Sequence, residues 1–102
     1  MDYASDIRKY TKKVDDAAVA AIVKFCGIAL QSRDASLVAT SDPAEVDRVR
    51  KGFATKVLGL SDAEFDSAFN ATAEKMKEDK TKHRVTFYYL LAEATGKLKS
   101  LA

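Results

Sequence analysis

The stretch KTKHRVTFYYLLAEATGKL, residues 80–98, contains the densest apolar run of the chain. Its Val, Thr, Phe and Tyr residues favour a β-strand by local propensity, but a strand needs a partner and no second stretch has strand character. As a helix, the run has two apolar stripes, Val85, Tyr88, Tyr89 and Ala92 on one and Phe87, Leu91, Ala94 and Leu98 on the other, and Gly96 supplies a C-cap. A helix that is apolar almost all round is predicted to lie at the centre of the core.

The start of this helix carries an unusual group of residues that are cationic or can become so, namely Lys80, Lys82, His83 and Arg84. Cations at this end oppose the helix dipole. They are either solvated or paired with Glu78 and Asp79, or they form an anion-binding site together with the free N–H groups of the helix. A third interpretation is contact with a nucleic-acid backbone, helped by the basic stretch IRKYTKK, residues 7–13.

Two helix starts are marked by their capping residues. In DPAE, residues 42–45, Asp42 is an N-cap, Pro43 occupies the first helical position, and Glu45 is the expected capping-box partner. The predicted helix then carries an apolar stripe, Val46, Val49, Phe53 and Val57, and ends at Gly59. In LSDAEF, residues 60–65, Ser61 and Glu64 form a second capping box, followed by a stripe of Phe65, Phe69, Ala73 and Met76.

The first third of the chain predicts two more helices. The first has the stripe Tyr3, Ile7, Tyr10 and Val14. The second opens at Asp15 and Asp16, runs to about Cys26 and stops at Gly27; because it is apolar on nearly every side, we expect it to be central. Residues 28–41 have no sustained period, and there Asp34 is expected to cap a turn or a short helical piece.

The sequence therefore predicts an all-α protein, a compact single-domain bundle of about five helices that comprises residues 1–102. A chain of 102 residues with 47% hydrophobic and 31% charged residues can bury one core. Its expected members are Ile22, Phe25, Phe53, Phe65, Phe69, Phe87 and Leu91.

Charge and cysteine content restrict the cellular setting. The net charge of +2 is too small to indicate nucleic-acid or membrane binding by itself. Cys26 is the single cysteine, so an internal disulfide is impossible, and it is expected to be a buried core residue of a protein in a reducing compartment. The first residues lack the apolar core of a signal peptide, and residues 17–30 are too short and too charged for a membrane span. We expect a cytoplasmic protein without a membrane association.

Residues for catalysis or metal binding are scarce. His83 is the only histidine, which excludes a two-histidine metal site. The four glycines are isolated, so there is no glycine-rich phosphate loop. The sequence predicts no catalytic residue, no metal site and no cofactor.

Four strings, MDYASDIRKYT, SRDASLVA, DPAEVDRVRKGF and RVTFYYLLAEATGKL, together resemble a family of short bacterial proteins catalogued only as a domain of unknown function. The resemblance runs over nearly the whole chain. It implies a bacterial, cytosolic setting and carries no activity, cofactor or site residue.

The predicted function is a non-enzymatic interaction or binding module, with a protein partner or self-association. The alternative is anion or nucleic-acid binding through the cationic start of the last helix, and nucleic acid is the less favoured partner. An exposed apolar patch would indicate a protein partner, whereas a continuous basic face would indicate nucleic acid.

Overall fold

The computed structural model describes residues 2–32 and 35–101, and the regular structure of that part is helical apart from one isolated β-bridge. Six α-helices are described: α1 Tyr3–Ile7, α2 Asp16–Cys26, α3 Pro43–Val49, α4 Asp62–Lys75, α5 Arg84–Ala94 and α6 Leu98–Leu101. A 3₁₀ helix, Gly27–Gln31, follows α2, and a π-helix, Arg50–Val57, continues α3. The all-α prediction is confirmed.

Helix α5 is the centre of the core, as its sequence predicts. Nine of its eleven residues are buried, and it packs against α1, α2, α4 and α6. The aromatic ring of Phe87 lies 5.0 Å from that of Phe69, which in turn lies 5.3 Å from that of Phe65. The helix gives way to a turn at Gly96, whose φ of 69° suits a residue without a Cβ. Helices α1, α2, α4 and α6 are therefore arranged around one apolar helix.

The predicted helix after Asp42 does form, but its second half is wider than an α-helix. From Arg50 to Val57 the backbone is π-helical, and the Thr55 hydroxyl donates to the Arg50 carbonyl at 2.7 Å. This geometry brings the neighbours Phe53 and Ala54 into the core together, since both are almost completely buried. Short π-helical segments are frequent at functional sites.

Two expectations about α2, its central position and the burial of Phe25, are wrong. Its start at the Asp15 cap and its end before Gly27 are as predicted, and Cys26 is buried. However, the helix buries only one stripe, Ala18, Ile22 and Cys26, so it lies at the periphery rather than the centre. Phe25 falls beside that stripe and is 45% exposed, so the prediction that it is a core member is wrong.

Two other segments differ from the sequence patterns. The first helix ends at Ile7, well before Val14, because the chain turns there into the basic stretch. In the weakly patterned region, Val38 N–H donates to Lys82 O at 2.8 Å and Arg84 N–H donates to Ser36 O at 2.7 Å. The loop is thereby fixed to the start of α5. The predicted cap Asp34 lies outside the described residues.

Candidate functional site

Arg84, the first residue of α5, is a buried hub and not a surface cation. Its Nε donates to Ala35 O at 2.6 Å, its Nη1 to the Tyr88 hydroxyl at 2.8 Å, and its Nη2 to Leu37 O at 3.1 Å. The same Nη2 also forms an ion pair with the buried Glu45 carboxylate. The guanidinium therefore joins the loop after α2, the start of α3 and the start of α5.

Glu45 does not have its predicted capping role. The Asp42 carboxylate caps α3 by accepting from Ala44 N–H at 3.0 Å, as expected. Glu45 instead pairs with Arg84 and, at 3.2 Å, with Arg48. The physical reason is that the Asp42 N–H is already bonded to Ala39 O at 3.1 Å, so a capping box has no donor left to satisfy.

The predicted partners of the cationic group are also partly wrong. Arg84 pairs with Glu45 rather than with Glu78 or Asp79. Lys82 Nζ donates to the backbone carbonyl of Asp79 at 2.9 Å, not to its carboxylate. The Asp79 carboxylate accepts instead from the Tyr10 hydroxyl at 2.6 Å, a bond that lowers the pKa of Asp79 below its usual value.

The four predicted anion ligands therefore do not share one environment. Arg84 is buried, Lys82 and His83 are half-buried, and Lys80 is exposed. An anion at the start of α5 would have to rely on Lys80, Lys82 and His83, because the N–H groups of Arg84 are directed to other acceptors. The anion site stays a prediction with this smaller set of ligands.

A concave, largely apolar surface lies between α2 and the π-helix. It is a groove of about 300 Å³, lined on its apolar side by Phe25, Cys26, Ala29, Gly52, Phe53 and Tyr88. The Phe53 and Tyr88 rings stack at 4.3 Å between centroids, and the Phe25 ring lies 5.5 Å from that of Phe53. We call this the aromatic groove. Its rings are already packed on one another and thus form a preformed surface.

Charged residues form the other side of the aromatic groove. Glu45, Arg48 and Arg84 line it, and they also line an adjoining cavity of about 340 Å³ beside the loop after α2. One carboxylate against two guanidinium groups leaves a formal excess of one positive charge. The aromatic groove thus has an apolar side and a slightly positive, charged side.

Two apolar side chains remain in contact with solvent, Phe25 in the lining of this groove and Ile28 next to the lining residue Ala29 in the chain. Phe25 is 45% exposed and Ile28 is 82% exposed, and they are the exposed large hydrophobic residues of the described part of the chain. Sequence reasoning placed Phe25 in the core because α2 is apolar on nearly every side, and it gave no role to Ile28, which follows α2 in the 3₁₀ helix. The signal was present, because a helix that is apolar on every side but packs on one side must expose apolar surface.

Cys26, although it lines the groove, is a protonated thiol. Burial raises its pKa to about 11, against a smaller opposite effect of the nearby Arg84 charge. At neutral pH it is therefore a weak nucleophile. Over residues 2–32 and 35–101, no group of three or more His, Cys, Asp or Glu side chains is arranged to hold a metal ion. Across the same residues, no helix is both long and apolar enough to cross a bilayer.

Comparison with known proteins gives a family but no curated relative. No curated protein matches the chain at a significant level. The model of a family described as "Protein of unknown function (DUF2853)" matches residues 2–99. Since the match covers nearly all of the 102 residues, the chain belongs to the DUF2853 family.

Proposed function

We propose that this protein is a cytosolic, non-enzymatic interaction module that binds an acidic, apolar segment of a partner protein in the aromatic groove. The observation that carries the proposal is the exposure of Phe25, which lines a groove whose rings are already packed, together with that of Ile28, the chain neighbour of the lining residue Ala29. Large apolar side chains in contact with solvent next to a concave surface are typical of protein-binding sites.

The expected affinity is modest. Full burial of a Phe or Ile side chain contributes about 1.5 to 3 kcal/mol each, so covering the exposed fractions of Phe25 and Ile28 contributes roughly 2 to 4 kcal/mol. Micromolar binding requires about 8 kcal/mol. The apolar contact therefore supplies at most about half of that, and polar contacts on the charged side of the groove have to supply the rest.

The exposed cations near the groove indicate that the partner segment is acidic. Glu45 is already neutralised by Arg84, whereas the Arg48 side chain is 69% exposed at the edge of the groove. Lys24, adjacent to Phe25, is exposed as well. A segment that combines an aromatic or long aliphatic side chain with Asp or Glu would complement both the apolar side and the charged side of the groove.

Two properties of Cys26 support the non-enzymatic and cytosolic parts of the proposal. Its thiol is buried and has a raised pKa, which suits a packing role better than nucleophilic catalysis. A single free cysteine is also compatible with a reducing compartment.

The test is a selection of phage-displayed random peptides on the purified protein. We expect enriched peptides to carry an aromatic or aliphatic residue next to Asp or Glu. A synthetic copy should bind Phe25→Ser at least about tenfold more weakly, the equivalent of 1.4 kcal/mol. Arg48→Gln should also weaken binding, and Asn70→Ala, a change at an exposed site on α4, should leave it unchanged.

Ile28→Ser serves as the second variant, because Ile28 is 82% exposed and its replacement leaves the core untouched. Peptides without acidic residues, or equal binding to wild type, Phe25→Ser and Ile28→Ser, would refute the proposal. A dimer that dissociates in Phe25→Ser would assign the groove to a second copy of the chain and would likewise contradict it.

A further inference from the structure

The fold brings together two basic stretches that are far apart in the sequence. The Tyr10 hydroxyl donates to Asp79 at 2.6 Å, which ties residues 8–13 to the loop before α5. Near the same place, the Tyr3 ring lies 6.4 Å from the His83 ring. Thr11 is bonded to Glu93 at 2.9 Å, and Lys75 reaches the same carboxylate at 3.5 Å. We call the resulting surface the basic face; it comprises Arg8, Lys9, Lys12, Lys13, Lys75, Lys80, Lys82 and His83.

This convergence creates a charge asymmetry that the net charge conceals. Residues 8–13 carry a formal charge of +4 and residues 75–83 carry +2, a combined charge of +6. In a chain of net charge +2, the remaining residues therefore carry −4. A segregated positive surface attracts polyanions even when the whole protein is almost neutral.

Two carboxylates near the basic face, those of Asp79 and Glu93, are already engaged within the protein, and the exposed Glu78 is included in the +2 charge of residues 75–83. Asp79 accepts from Tyr10 and from Thr81 N–H, and Glu93 accepts from Thr11 and Lys75. In contrast, Lys12, Lys13 and Lys80 are exposed and form no ion pair within residues 2–32 and 35–101. These three ammonium groups can contact an external anion without breaking an internal pair.

We infer that the basic face binds the phosphate backbone of nucleic acid, without reading its sequence. Phosphate contacts by lysine and arginine are sufficient for such binding. An anionic membrane is the other polyanion of this kind, but stable attachment to a bilayer adds apolar side chains to the charges. The exposed large hydrophobic residues of the described chain, Phe25 and Ile28, are not part of the basic face. This activity is separate from the aromatic groove.

The experiment measures fluorescence anisotropy of a labelled mixed-sequence duplex and of a labelled single strand over a range of salt concentrations. Contact with about five duplex phosphates gives a slope of about −4.5 for log K against log salt. Between about 50 and 200 mM salt the affinity should thus fall by more than about 100-fold. Scrambled duplexes should bind equally well.

The decisive comparison uses two triple variants of equal charge. The first is Lys12→Gln, Lys13→Gln and Lys80→Gln, and the control is Lys51→Gln, Lys56→Gln and Lys99→Gln, three exposed lysines outside the basic face. Each triple variant changes the net charge from +2 to −1. The first should reduce the slope to about −2, as the loss of three phosphate contacts requires, and the control should keep most of the wild-type slope.

Equal loss in both triple variants would show that only net charge matters and would overturn the inference. So would binding that is absent or insensitive to salt. Vesicles of phosphatidylcholine with phosphatidylserine form the last arm, and tighter association with these vesicles than with nucleic acid would assign the basic face to membranes instead. Because every substituted lysine is exposed, thermal unfolding should be similar for all three proteins and thus provides the check on folding.

Discussion

Phe87→Ala should lower the free energy of unfolding by about 3 to 5 kcal/mol. The Phe87 side chain is completely buried, and its ring packs at 5.0 Å from that of Phe69 in the centre of the core. The substitution removes apolar contacts and leaves a cavity that the surrounding helices cannot fully close. Because domains are stable by only about 5 to 15 kcal/mol, much of the total stability should be lost.

The matched control is Phe25→Ala, the same chemical change at a ring that is 45% exposed. It should cost about 1 to 2 kcal/mol, since less apolar surface is withdrawn from water. Urea unfolding followed by circular dichroism measures both. If Phe87→Ala is as stable as the wild type, or if both substitutions cost the same, α5 is not the centre of the core.

Glu45→Gln should destabilise the protein by about 3 kcal/mol, because it leaves the buried Arg84 guanidinium without its counter-charge. Both side chains of this ion pair are at least 89% buried, as their exposures of 5% and 11% indicate. The carbonyl groups of Ala35 and Leu37 still accept from Arg84, which places the expected cost at the lower end of the range for broken buried pairs.

Arg48→Gln is the control for this second experiment. Arg48 pairs with the same carboxylate, but its side chain is 69% exposed, so the expected cost is at most about 1 kcal/mol. The double variant Glu45→Gln, Arg84→Gln should be more stable than the sum of the single variants predicts, because no buried charge remains. Equal costs for Glu45→Gln and Arg48→Gln would contradict the role of Arg84 as a buried hub.

The parts of the fold that could be predicted are those fixed by neighbours in the sequence. The Ser61–Glu64 capping box is present, with both of its hydrogen bonds. Gly59 and Gly96 have positive φ angles where the helices were predicted to end. The continuous apolar pattern of α5 placed it correctly in the centre. Each of these features depends on residues within one or two helical turns.

The parts that could not be predicted depend on contacts between distant residues. The expected local partner of Glu45 was the N–H group of Asp42. That N–H group donates to a backbone carbonyl instead, and the Glu45 carboxylate pairs with Arg84, 39 positions away. The basic face likewise depends on the Tyr10–Asp79 bond between residues 69 positions apart. Sequence patterns show which groups need partners, but packing decides which partner each one receives.

The candidate binding surface illustrates the same limit. The apolar content of α2 indicated burial, yet a peripheral helix can bury only one stripe of its residues. Part of the apolar excess of α2 is exposed at Phe25, and Ile28 in the following 3₁₀ helix is exposed as well; the proposed function is based on these two side chains. An apolar helix in a small domain can therefore pack against the core on one side and leave apolar surface exposed on the other.

Photo-crosslinking in cells of the native host tests the central claim, that a partner protein occupies the aromatic groove, most directly. Benzoylphenylalanine at position 25 should form an adduct with another protein, and the crosslinked segment should carry Asp or Glu beside a large apolar residue. The same probe at Asn70, exposed on α4, should not give that adduct. Identical adducts at both positions, or the absence of any adduct with another protein at position 25, would contradict the account.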